Sequence, residues 1–163
     1  MQRRWQLAVL YSSVFITLGL PFAAAAQPVT PEAFLGHPVG ADRKLARYDT
    51  VLEYLRQVES TSERVSIESM GRSTLDNEMV AVVLTSAANQ GRLDEYRAIA
   101  KRLATADDLT SEEAAALAAQ GKAIVLVTCT IHSTEVGATQ MVMEFVHDFA
   151  TTEDPAKLSW MED

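Results

Sequence analysis

His132 and Glu135 stand three residues apart at the end of the run Ala123-Ile124-Val125-Leu126-Val127-Thr128-Cys129-Thr130-Ile131. An imidazole nitrogen and a carboxylate oxygen are donors suited to a divalent metal that activates water. Spacing of three, with the chain turning into a helix between them, places both on one side of the helix start. The pair is half of a metal site, because a catalytic centre of this kind takes three protein donors and leaves a fourth position open. A bare H-x-x-E also suits a hydrogen-bonded couple on a surface, and spacing alone leaves that alternative open.

The elements that must position the pair are legible on either side of it. Ala123 to Val127, apolar and β-branched between Gly121 and a polar turn, predicts a fully buried strand. Cys129 falls within it as a small apolar filler rather than a nucleophile. Beyond Gly137, the residues Ala138, Met141, Val142, Phe145 and Phe149 predict a helical face, with His147 away from it in solvent. Asp154 before Pro155 predicts the start of a short helix carrying Leu158 and Met161.

Upstream, Gln27 to Val39 carries Pro28, Pro31, Gly36 and Pro38 and predicts an extended segment in which His37 is a loop residue. Leu45, Tyr48, Leu52, Leu55 and Val58 fall at helical spacing, and Thr50 with Glu53 would make a capping box near residue 50. Val65 to Met70 alternates apolar and polar, Gly71 to Asn77 is turn chemistry, and Met79 to Leu84 is apolar. Together these predict an antiparallel hairpin. Leu93, Tyr96, Ile99, Ala100 and Leu103 predict a helix, and Thr110 with Glu113 caps a second, alanine-rich one that Gly121 closes.

The chain of 163 residues is 48% hydrophobic and 22% charged, a composition of about one folded domain. Residues 1–26 are set apart: Arg3 and Arg4 precede an apolar stretch from Leu7 to Phe22 that ends in four alanines, the layout of a cleaved secretory signal. That stretch is interrupted by Tyr11, Ser12, Ser13, Thr17 and Pro21, so no stable membrane anchor is expected after cleavage. Removing it takes two of the 14 basic residues and none of the 22 acidic ones, leaving a net charge near −10. Such a chain is a poor partner for nucleic acid, and its destination is periplasmic or extracellular. A single cysteine cannot form an internal disulfide there.

The segment Thr130-Ile131-His132-Ser133-Thr134-Glu135-Val136-Gly137-Ala138-Thr139 resembles the first zinc-binding segment of the carboxypeptidase A-like zinc metallopeptidases. The order of upstream elements fits as well, so the likeness covers roughly residues 45–150. It implies an α/β fold, a three-layer α/β/α sandwich on a mixed sheet, with residues 27–44 as an extended mature N-terminus and 45–163 as the N-terminal part of a catalytic domain. It also implies Zn2+ as the cofactor, His132 and Glu135 as its first two ligands, and a peptide or protein as the substrate.

Two departures stand out. Thr134 occupies a position where an arginine is common, and Asp76-Asn77-Glu78 replaces a Gly-Arg-Pro-like turn. The family's third ligand, catalytic glutamate and substrate-binding arginines would fall beyond Asp163. The 163-residue chain is therefore expected to be inactive alone, and the same metal arrangement also serves amide-cleaving deacylases. A strand apolar on both faces needs neighbours on both edges. The visible elements do not supply them, which predicts a fragment of a larger domain.

Overall fold

The computed structural model describes residues 27–105 and 107–163, so the expected signal segment 1–26 lies outside the described residues. The first element falls where the prolines predict an extended segment. Helix α1 spans Pro31–Leu35, with the Thr30 hydroxyl accepting from the Ala33 amide, Pro31 in the first turn, and Gly36 at φ 72° closing it. Thr-Pro-Glu followed by Gly is a start and a stop signal with only five residues between cap and cap. At that length periodicity cannot show a helix.

Helix α2 spans Tyr48–Thr61 and starts earlier than the Thr50–Glu53 capping box predicts. Arg47 is its N-cap and supplies no side-chain cap bond; in the first turn the Asp49 carboxylate accepts from the Thr50 amide and from Arg47 Nε. Its buried stripe is Val51, Tyr54, Leu55 and Val58. Leu45 and Tyr48 are exposed, and the Tyr48 hydroxyl donates to the Glu78 carbonyl at 2.7 Å.

Strands β1 (Val65–Arg72) and β2 (Glu78–Leu84) form the antiparallel hairpin expected, with Val65 opposite Leu84 and Ile67 opposite Val82. The register breaks between Ser69 and Arg72, where Gly71 sits at φ 94°, a conformation glycine adopts without steric cost. Val65, Ile67, Val82 and Leu84 turn one face of the hairpin toward α2 and toward helix α6, which spans Val136–Thr151. Tyr54, Val58, Met143 and Val146 are the most deeply buried side chains of that core.

Between hairpin and α6 lie α3 (Ala87–Gln90), α4 (Leu93–Ala104) and α5 (Ser111–Gln120). The Thr110–Glu113 capping box is present in both directions, and the Gly121 amide closes α5 on the Leu117 carbonyl. Helix α7 spans Pro155–Glu162, capped by Asp154 as its sequence predicts. Its C-terminal carbonyls would be orphaned, and the α3 corner satisfies them. Met161 O accepts from the Ser86 amide, the Thr85 hydroxyl and Asn89 Nδ2, and Glu162 O also accepts from Asn89.

Asn89 is buried and additionally accepts from the Tyr96 hydroxyl at 3.0 Å, so one amide joins α3, α4 and α7. Asn89→Ala leaves the buried Tyr96 hydroxyl without its acceptor and should cost about 2 kcal/mol in urea denaturation. A loss below about 0.5 kcal/mol, the scale of a neutral surface change, would mean that this amide does not hold the three helices.

Two sequence expectations are corrected. Residues 122–130 form no strand: the segment pairs with neither β1 nor β2, and Ile124, Val125 and Leu126 are 72%, 84% and 84% exposed. β-Branched composition favours extended backbone, but burial needs sheet neighbours, and the described residues supply one two-stranded hairpin that closes on itself. Cys129, expected in that strand, is half-buried in this irregular segment. On α6 the buried residues are Gln140, Met143 and Val146, rotated away from the expected face. Phe145 and Phe149 instead pair with each other, ring centroids 4.9 Å apart. The class is nonetheless the α/β one expected, with helices around a small antiparallel sheet. Among the described residues no helix is long and apolar enough to cross a membrane.

Candidate metal centre

The loop that leads into α6 is built by a few local hydrogen bonds. Glu135 is the residue immediately before the helix, at φ −91° and ψ 61°, and its amide donates to the His132 carbonyl at 3.0 Å, closing a turn. That turn folds the carboxylate back over the loop. Glu135 Oε2 accepts from the amides of Ile131 and His132 at 3.3 and 3.1 Å, and Oε1 meets His132 Nδ1 at 2.8 Å.

The sequence-predicted pair is therefore brought together in space. The imidazole and carboxylate side chains are 71% and 53% exposed, with open approach to both. The His132 side chain first, then the His132 and Ile131 amides, hold the Glu135 carboxyl below its ordinary value of 4.5. Glu135 is thus ionised at neutral pH. Because its folded pKa is depressed, these bonds contribute fully above the ordinary value and are lost as pH falls through the lowered one.

The donor types suit zinc, and the spacing nearly does. Bonds of 2.0–2.1 Å in a tetrahedral shell put two donors about 3.3 Å apart. Nδ1 and Oε1 at 2.8 Å need only a small opening, which exposed side chains can make by rotating. The number of donors is where the fit stops, since no group of three or more His, Cys, Asp or Glu gathers among the described residues. His147 lies twelve residues further along α6, about 18 Å at helical rise. His37 sits in the N-terminal loop, Nδ1 against the Pro38 carbonyl.

Thr130 and Thr139 lie in the same segment, and residue type and spacing assign them no role. The Thr130 hydroxyl donates to the Glu135 carbonyl at 2.9 Å and lies 2.7 Å from the Thr139 hydroxyl. Thr130 also sits at φ 72°, a conformation rare for a β-branched residue. Nothing in a single sequence signals that backbone angle.

An α/β fold with an imidazole–carboxylate donor pair at the start of a helix is a frame on which a metal-dependent hydrolase can be built. A family model described as zinc carboxypeptidase matches residues 51–162, most of the chain, and the chain belongs to that family. The match spans α2 to α7 and includes His132 and Glu135. The family is one of zinc-dependent metallopeptidases and related hydrolases. No curated protein and no solved structure matches the chain.

Proposed function

We propose that the chain contributes the first half of the metal centre of an exported, carboxypeptidase-type zinc peptidase, with His132 and Glu135 as the first two zinc ligands. The observation that carries this reading is the 2.8 Å approach of Nδ1 to Oε1 within a segment matched by the family. Zinc bound there would polarise a scissile carbonyl and make water nucleophilic near neutral pH. The chain's own residues supply the rest: the two backbone amides fix the carboxylate, and the carboxylate orients the imidazole. Residues 45–163 are then the N-terminal part of the catalytic domain, and 27–44 its leading segment. The substrate is a peptide or protein, and a net charge near −10 argues against nucleic acid.

Two donors give weak metal binding, so the 163-residue chain should not turn over peptides. The test is a Zn2+ titration of the metal-free chain followed at its imidazole resonances, which three histidines make readily resolved. The resonance of His132 should move while those of His37 and His147 stay. Equal movement of all three, or robust hydrolysis of free-C-terminal peptides by the chain alone, would overturn the reading.

Export rests on the Arg3-Arg4, Leu7–Phe22 and Ala23–Ala26 pattern. On expression in a bacterial host, N-terminal sequencing of the periplasmic protein should start near Gln27. Intact Met1 on exported material would overturn cleavage.

A further inference from the structure

We propose that Thr130 is a positioning residue for the His132–Glu135 pair, its hydroxyl bracing the Glu135 carbonyl and the first turn of α6 so that Oε1 is held against Nδ1. The inference rests on the proposed metal reading for its biological meaning, while its geometry stands without a metal. One hydroxyl proton is available on Thr130, and the Glu135 carbonyl can only accept, so that proton goes to Glu135 O at 2.9 Å. The 2.7 Å contact to Thr139 is then made by the Thr139 hydroxyl donating to Thr130 Oγ1. The order Thr139 to Thr130 to Glu135 is a directed chain running from inside α6 back to the residue just before it.

The backbone of Thr130 shows the constraint from the other side. A β-branched residue at φ 72° is strained, and such strain persists where surrounding contacts over-determine the conformation. Here the contacts that do so are the two hydroxyl bonds and the turn closed by the Glu135 amide on the His132 carbonyl. None of them belongs to the core of α2, β1, β2 and α6, and residues 131–137 are exposed. The hydroxyl therefore acts on the pair rather than on the fold. Without it the Glu135 carbonyl loses its side-chain brace, and the backbone amides of Ile131 and His132 alone hold the carboxylate, less tightly, beside the imidazole.

The test compares Thr130→Val, which keeps the shape and removes the hydroxyl, with Thr130→Ser, which keeps the hydroxyl, and Thr130→Gly, which relieves the strain and removes the hydroxyl. The first readout needs no metal: nitrogen-15 shifts of His132 at a pH where imidazoles are neutral, reporting the ratio of the Nδ1–H to the Nε2–H tautomer. In the unaltered chain Nδ1–H should dominate, because Nδ1 then donates to the carboxylate. The ratio should fall about tenfold in Thr130→Val and Thr130→Gly, the scale of one charge-assisted hydrogen bond. It should stay near the original in Thr130→Ser.

The second readout is the Zn2+ dissociation constant at His132, expected to weaken about tenfold in Thr130→Val, as loss of a group that orients a ligand does. An unchanged tautomer ratio in Thr130→Val, or an equal fall in Thr130→Ser, overturns the proposal whatever zinc does. A tautomer response as described, with no His132 shift on adding zinc to any chain, upholds the positioning role and removes the metal reading instead.

Discussion

His132→Ala should abolish site-specific zinc binding while leaving the fold intact. Losing a group that merely orients a ligand costs 10–100-fold in metal affinity, so losing one of two donors should weaken binding by about 100-fold or more. Only nonspecific association with acidic side chains would then remain. Stability should be nearly unaffected, because the imidazole is 71% exposed and its one side-chain partner is the similarly accessible Glu135. Changes at such surface positions stay within about 0.5 kcal/mol. Glu135→Gln should separate charge from shape: the amide oxygen can still accept from the backbone of residues 131 and 132, preserving the turn, yet it offers zinc a neutral donor. Calorimetric titration with Zn2+ beside a urea melt checks both halves. Zinc binding that survives His132→Ala unchanged would remove this pair from the metal site.

The second large effect lies in the core. Tyr54→Ala should destabilise the chain by about 3–5 kcal/mol, the range for removing a fully buried aromatic ring. Tyr54 is fully buried, its ring 5.1 Å from that of Phe34, and its hydroxyl donates to the Val29 carbonyl at 2.9 Å. Burial pushes its phenol well above the ordinary range, so it remains a donor at any working pH. Against total stabilities of about 5–15 kcal/mol, such a loss leaves a small domain marginal or unfolded. Tyr54→Phe isolates the hydrogen bond and should cost about 1 kcal/mol or less, since Val29 is 40% exposed and its carbonyl can turn to water. Urea denaturation of both variants decides between ring and hydroxyl: equal losses would mean that the hydroxyl stabilises the chain more than the packing of α1 on α2 does.

The core also shows where sequence patterns succeed and fail. Leu55 and Val58 of the expected α2 stripe are buried, but Val51 and Tyr54, which the stripe leaves out, are buried with them, while Leu52 is half-buried and Leu45 and Tyr48 are exposed. On α6 the discrepancy is larger. That helix is apolar over much of its circumference, so several faces satisfy the spacing, and contact with α2 selects Met143 and Val146. Phe145 and Phe149, the bulkiest candidates, find each other instead.

What the sequence by itself determined is the short-range part. The Thr110–Glu113 cap, the Asp154-Pro155 helix start, the hairpin and the spacing of His132 and Glu135 all depend on residues within a few positions of one another. Tertiary structure alone decided the rest, because it depends on partners distant in the chain. Asn89 became the joint between α3, α4 and α7 only when α7 arrived from 72 residues away. The run from Ile124 to Val127, composed like a buried strand, stays exposed because burial is conferred by neighbouring strands, and the hairpin pairs only with itself. Thr130 is the local exception: its two hydroxyl partners lie only five and nine residues away, but they meet it only because its backbone takes φ 72°, an angle that no pattern of residue types encodes.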